Sequence, residues 1–470
     1  MPTAHCSRAT ATRLKHLAIS ATTVLASTRH CCAFVGSIAP LSKTSSTATS
    51  APGGVQSLTM GSPPLGAGER VVILGGGIVG ASTAYHLALH GVKPVVVERS
   101  KVAAAASGKA GGFLAGGWGS GPTVPMHEIS FDMHGRLAET LGVTSIHISR
   151  ERSGVLDVNG GRSGNSPAAW LDGKASGSMM DSDTAQVTPL ELTTKLMEGA
   201  MERGAELRIA TVSSVSSLLV DEAAVSAAGP EGAGAENGAA GERRVTAVVL
   251  EGGEEILCDR VIVAMGPWSC LAEDWFGIPV PMQGIKSTSI VFKGSQQVAD
   301  DPYALFCAED RNGCHLEVYP RPDGEVYLCG LGGSDYVDSP RLKAGGDCDK
   351  PEVILPDPSR VTAATRSFKG MTSIGNEDPT LAQACMRPCP PDGLPIMGEV
   401  PGVRGAYISA GHNCWGILWG PVTGLLMSEL LLNGKASTVD IEPFSPSRFM
   451  KRASARGRRK GAADLVGEQW

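Results

Sequence analysis

Arg70–Gly80 reads RVVILGGGIVG. Four apolar residues, Val71 to Leu74, have the run of a short buried strand. Gly75, Gly77 and Gly80 follow in a GxGxxG arrangement, and an apolar-periodic stretch continues to a stop at His90-Gly91. Strand, tight turn and helix form the context in which this spacing binds a dinucleotide. Gly75 makes the turn, Gly77 lets backbone approach a pyrophosphate, and Gly80 lets helix and strand pack closely; the helix N-terminus then offers free N–H groups to the phosphates. The next strand, Lys93 to Val97, ends in Glu98, 18 residues after Gly80. A carboxylate there accepts ribose hydroxyls and repels a 2′-phosphate.

The motif is common to FAD and NAD, so the choice between them rests on the rest of the chain. Ala106–Gly112 reads ASGKAGG just past the second strand, small residues with a hydroxyl that suit a loop between a pyrophosphate and a ring system. Val261–Trp268, VIVAMGPW, reads as a buried strand ending in a Gly-Pro-Trp turn. Asp392–Gly398, DGLPIMG, precedes a strand over Ala406–Gly411 and a helix opening near Pro421, its N-terminus lying between about Gly416 and Pro421.

With these segments in place, the chain resembles the D-amino-acid oxidase superfamily of FAD-dependent oxidoreductases, the group that includes sarcosine oxidase, glycine oxidase and dimethylglycine dehydrogenase. The resemblance spans roughly Arg70 to Phe449 and is most similar to a eukaryotic subgroup with ASGKAGGFLA and PDGLPxxG. It implies an α/β fold in which a Rossmann-like FAD-binding domain is interleaved with an antiparallel-sheet α+β substrate domain. FAD-binding parts are expected at about 69–135, 186–275 and 376–435, and substrate-domain parts at about 136–185 and 276–375. Consistent with that layout, Ala205–Val220, Val245–Leu250 and Glu255–Val263 read as strands of a meander returning to the FAD-binding domain. Leu316–Gly330 reads as a hairpin around a Pro-Asp-Gly turn.

The resemblance and the motif together imply FAD contacts at Gly75, Gly77, Ile78, Val79, Gly80, Glu98, Arg99, Ser107, Gly111, Gly112, Val212, Gly266, Trp268, Cys385, Gly393 and Gly416. Arg387, in CMRPCPPDG, resembles the arginine that pairs with the substrate carboxylate in glycine oxidase and D-amino-acid oxidase; the alternative is a structural arginine beside Pro388. A planar guanidinium suits a bidentate carboxylate pair. His412 and Trp415, in AGHNCWG, are expected beside the isoalloxazine. There His412 tunes the flavin or the amine's protonation, or is only structural, and Trp415 forms a pocket wall. Cys385 lies where monomeric sarcosine oxidase bonds its flavin covalently, although a buried inert thiol is the commoner case. The lysine that sarcosine oxidases place over the flavin has no counterpart in Glu325–Leu331, EVYLCGL; Lys286 is the remaining candidate.

Composition bounds the remaining possibilities. The 470 residues include 60 Gly and 30 Pro, short of a low-complexity chain, and 42% hydrophobic residues suffice for a large core. A net charge of −6 argues against nucleic acid as a partner. Twelve cysteines without CxxC or Cys/His spacing point to neither a metal site nor a disulfide framework. The most apolar stretch, Tyr407–Leu432, carries His412, Asn413 and Glu429, so no transmembrane helix is expected.

Residues 1–68 contain no Asp or Glu and are rich in Ser, Thr and Ala with scattered Arg and Lys, the composition of a disordered transit peptide for a plastid or mitochondrion. An unprocessed leader on a cytoplasmic protein is the alternative. Asp221–Arg244 reads as a solvated loop and 450–470 as a basic tail.

The expected activity is oxidation of the C–N bond of a small amine, an amino acid or N-methyl amino acid, by hydride transfer from the C–H bond next to nitrogen to flavin N5, in a monomer or small homo-oligomer. The competing readings are a flavin-stabilised interaction or trafficking protein and an NAD enzyme.

Overall fold

Val71–Leu74 is a strand buried at every position, as a run of apolar residues in a sheet covered on both faces must be. The structure is a computed structural model that describes residues 61–143, 147–148, 154–161, 164–166, 168–220 and 242–453. Most of the acid-poor leader, the loop at 221–241 and the basic tail from 454 lie outside the described residues.

Val71–Leu74 sits inside a six-stranded sheet ordered Ile396–Glu399, Ala406–Ala410, Arg260–Val263, Val71–Leu74, Val95–Glu98, Glu206–Ile209. Neighbours run parallel except the first pair. Helices Ile78–Leu89, Val124–Leu141, Pro189–Met201 and Gly416–Asn433 build one apolar layer with this sheet. An antiparallel meander of Val212–Leu219, Arg243–Leu250 and Glu255–Leu257 belongs to a second layer.

The second large sheet is built on the ten-residue strand Gln283–Phe292. Leu381–Cys389 pairs along one edge of it; Asp335–Val337 and Val326–Cys329 share the other. The sheet continues through Glu317–Pro320, Tyr303–Cys307, Gly154–Gly160 and Ala175–Asp181, antiparallel except where Tyr303–Cys307 meets Gly154–Gly160. Helix Pro358–Met371, capped by Asp357 through the Ser359 N–H at 2.8 Å, covers one face, with Phe368 5.0 Å from Phe292. The Pro-Asp-Gly turn closes the Glu317–Cys329 hairpin as read, with the Arg321 N–H donating to Glu325 O at 2.7 Å. The chain therefore has the expected fold class, a parallel α/β part together with an antiparallel sheet.

Four local readings are corrected. Ala205–Val220 is two strands: Glu206–Ile209 extends the parallel sheet, and the chain turns at Ala210-Thr211 before Val212–Leu219 enters the meander. Glu255–Val263 divides the same way, its second half lying beside Val71–Leu74. Leu381–Cys389, assigned to the FAD-binding stretch 376–435, pairs instead with Gln283–Phe292 over nine residues, and helix Val124–Leu141 runs unbroken across the expected boundary at 135. Helix Gly416–Asn433 opens at Gly416, the early end of the expected stretch, and contains Pro421.

Asn413–Asn433 is long and apolar enough to cross a membrane by composition, but 67% of its 18-residue apolar window is buried inside the fold. It is a core helix, in direct contact with Ile78–Leu89. A Cβ at Gly420 would stand 2.4 Å from Ile78, and one at Gly424 2.2 Å from Ser82.

Candidate functional site

One cleft runs from the carboxyl ends of the parallel strands to the antiparallel sheet, the usual side for a ligand in an open α/β sheet. Its floor is the glycine turn. Gly75 has φ +108° and donates to Val97 O at 2.8 Å; any side chain there would strike Ala264 O. Gly77 caps helix Ile78–Leu89 with no side chain of its own, and no acid stands in the first turn, so the positive end of the helix faces the cleft unneutralised. A Cβ at Gly80 would lie 2.0 Å from Gly75 O, so this glycine holds helix against turn and does not itself line the cleft.

Glu98 ends its strand where the pattern requires. Its carboxylate accepts from the Gly76 N–H at 2.7 Å and the Ser100 N–H at 2.9 Å. Burial pushes its pKa above the usual carboxylate range, against the pull of those two N–H groups. Arg99, Val212, Gly266 and Trp268 line the same end, Trp268 held by its indole N–H on Cys348 O at 3.0 Å.

The ASGKAGG segment is not only a loop. Ala106–Lys109 makes one helical turn that delivers the Ser107 hydroxyl to the Ile78 N–H at 2.9 Å, beside the glycine turn. Gly111 and Gly112 then pass along the cleft, with Gly111 lying against the ring of Tyr319.

The antiparallel sheet supplies the opposite wall. Leu381–Cys389 brings Cys385 and Arg387 to the cleft. Burial acts against the charge of Arg387, but Cys414, Cys389 and Glu317 outweigh it and hold its pKa above the ordinary value. Burial pushes the thiols of Cys414 and Cys389 up to about 11 and about 12, so both are protonated at neutral pH. Cys385 is likewise pushed up by burial, against Lys109 and Arg387, and is a thiol at neutral pH.

Ala406–Ala410 leads into His412, Trp415 and Gly416, all on the cleft. His412 Nε2 pairs with the Thr423 hydroxyl at 3.0 Å, and burial pushes its pKa down to about 3. It is a neutral imidazole, not a cation. Trp415 packs edge-on to His127 at 4.6 Å.

Helix Gly416–Asn433 turns its N-terminus to the cleft despite Pro421, which cannot donate to Ile417 O. His134 Nε2 meets the carbonyls of Ile417 and Leu418, each at 3.1 Å, and Ser130 bridges Leu418 O and the Val422 N–H.

Of the predicted residues, Gly80 and Gly393 stay off the cleft wall, Gly393 being the positive-φ residue of a turn closed by its own N–H on Pro390 O. Lys286 does not line the cleft either, and no lysine does among the described residues. Sequence reading missed Glu317, Tyr319, Tyr327 and Cys329, the cleft-facing side of the hairpin. The available signal was a lone carboxylate in the buried run Glu317–Pro320.

The residues present fit a flavin dinucleotide: a side-chain-free helix cap, a carboxylate one strand over, and a cleft that continues past the phosphate end to an aromatic and arginine-bearing wall. The chain is 32% identical to the TDA3 protein of Saccharomyces cerevisiae over 197 residues, 40% of this chain and 35% of that protein, so the match spans about a third of TDA3. It is 25% identical to the glycine oxidase of Pseudomonas aeruginosa over 81% of this chain and 99% of the other. The crystal structure of glycine oxidase from Geobacillus kaustophilus has the same fold, with a TM-score of 0.60 at 21% identity over 84% of this chain and all of that one. Residues 70–430, the greater part of the chain, match the family model described as FAD dependent oxidoreductase (DAO), and the protein belongs to that family.

Proposed function

We propose that this FAD-dependent oxidoreductase oxidises the C–N bond of a small amine, an amino acid or an N-methylated amino acid. The observation that carries the reading is a half-buried guanidinium, Arg387, on the wall of the cleft that begins at the dinucleotide cradle. A cation in that position anchors a carboxylate and so fixes which C–H bond is presented. The names of the glycine oxidases among its relatives support the same class.

Bound FAD supplies a two-electron acceptor, N5 of its isoalloxazine, for the hydride. The chain's own residues do the rest by position and electrostatics. Gly75, Gly77 and the N-terminus of Ile78–Leu89 hold the pyrophosphate, and Glu98 holds the ribose. Arg387 orients the substrate, while Trp415, Tyr319 and Tyr327 exclude water from the reacting end. His412, uncharged and tied to Thr423, keeps the strand-to-helix turn in shape; the N-terminus of Gly416–Asn433 favours negative charge near the flavin ring.

The test is an anaerobic screen of the purified yellow protein against glycine, sarcosine, dimethylglycine and the D and L series of amino acids, read by loss of flavin absorbance. Bleaching by one class supports the reading. A flavin that dithionite reduces but none of these amines does contradicts it.

A further inference from the structure

Glu317 is a carboxylate in a strand buried at all four positions, itself 9% exposed, and it lies on the cleft wall. Nothing in the cradle requires it. Its Oε2 accepts from the Tyr319 hydroxyl at 2.6 Å and the Cys329 thiol at 3.3 Å. Burial, with Glu317 adding to it, pushes both groups well above their ordinary pKa values, so both remain protonated donors at neutral pH. Two donors on one oxygen fix the orientation of the side chain. A carboxylate so buried calls for a cation.

The same cleft holds Arg387, close enough to feel the charge of Glu317. A guanidinium and a carboxylate on one wall are complementary to a ligand with both charges, and a poor match for a ligand with only one. Resting on the amine-oxidation reading above, we propose that Glu317 binds the cationic nitrogen of a zwitterionic substrate whose carboxylate Arg387 takes. The cleft then selects amino acids and N-methyl amino acids over simple amines and simple carboxylic acids. Glu317 is a specificity-determining residue on this account. If it were only a counter-ion for Arg387, its loss would disturb carboxylate binding first.

The experiment uses the FAD-loaded protein and three unreactive probes, read by the perturbation of the flavin spectrum: trimethylglycine, acetate and tetramethylammonium. None can lose hydride through a free amine, so the outcome is separate from whether any amine reduces the flavin. Wild type is expected to bind trimethylglycine more tightly than either singly charged probe. Glu317→Gln, which keeps an acceptor for Tyr319 and Cys329, is expected to weaken trimethylglycine by about tenfold or more, the scale of a lost attraction between two close, partly desolvated charges. Acetate should be unchanged or tighter.

Equal weakening of trimethylglycine and acetate would overturn the proposal in favour of the counter-ion role, as would unchanged trimethylglycine binding or a wild type that binds no probe. Should Glu317→Gln fail to hold flavin, Glu317→Asp carries the test. With the charge kept but withdrawn by a methylene, selective weakening of trimethylglycine supports the proposal and parallel loss of acetate sinks it.

Discussion

Gly77→Ala and Gly80→Ala separate the two jobs of the glycine turn. At Gly77 the backbone has φ −76° and ψ 179°, open to any residue, and an added Cβ would lie 3.1 Å from Ser107 Oγ. Ser107 has to yield by only a few tenths of an ångström. The loss is its hydrogen bond to the Ile78 N–H, worth about 1 kcal/mol, together with the bare surface a pyrophosphate approaches. At Gly80 the Cβ would stand 2.0 Å from a backbone oxygen, Gly75 O, and ordinary contact is more than an ångström farther out. Overpacking of that kind costs roughly 1–3 kcal/mol or more, against about 1 kcal/mol gained in helix propensity.

Gly77→Ala should therefore melt within a few degrees of wild type as apoprotein but bind FAD about 10- to 100-fold more weakly. Gly80→Ala should lose stability before any ligand is added. Apoprotein melting followed by titration with FAD, monitored through quenching of flavin fluorescence, measures both. A Gly77→Ala protein with wild-type FAD affinity would refute the assignment of this turn to the pyrophosphate.

Other consequences are open to direct measurement. Arg387→Lys should raise the KM for a carboxylate-bearing substrate by about 10- to 100-fold, since an ammonium cannot replace a bidentate fork; an unchanged KM would remove the anchor role. Acid precipitation should release the flavin into solution, because Cys385 is a buried thiol of raised pKa; yellow colour remaining in the pellet would show a covalent bond. Stability should fall as pH drops from about 6.5 towards 4. His134 and His86 are buried with pKa values lowered to about 4, so below the ordinary histidine pKa the unfolded chain binds protons that the folded one refuses. Each removes on the order of 1–2 kcal/mol by pH 5, and His134→Gln should flatten the slope of melting temperature against pH. A fusion of residues 1–68 to a fluorescent protein should enter a plastid or mitochondrion, and diffuse cytosolic signal would contradict that proposal.

The phosphate end of the cleft was legible in the sequence because its parts are neighbours along the chain. Strand, turn, helix and the second strand with Glu98 occupy fewer than thirty residues, and each glycine answers a local clash. The sheet memberships of Ala205–Val220 and Glu255–Val263 were not legible. Apolar alternation does not mark where a strand leaves one sheet for another, and the bend at Ala210-Thr211 carries neither Gly nor Pro.

Leu381–Cys389 was misplaced for a related reason. Its sheet is set by a partner about a hundred residues earlier, and only the pairing of Ile285 with Arg387 shows which wall Arg387 stands on. Glu317 stayed hidden because its meaning depends on Cys329 across the hairpin and on Arg387 beyond it. The helix start was bracketed between Gly416 and Pro421 but not fixed, because the carbonyls that Pro421 frees are satisfied by His134 and Ser130, far earlier in the chain.

The central claim, that the cleft oxidises a dipolar amine, is tested most directly by anaerobic single turnover with product analysis. The account predicts that an amino acid or N-methyl amino acid bleaches the flavin and yields one equivalent of the oxo acid or aldehyde, with the matching ammonia or amine, per flavin reduced. Flavin that stays oxidised with every such substrate, or bleaches without a carbonyl product, would contradict it.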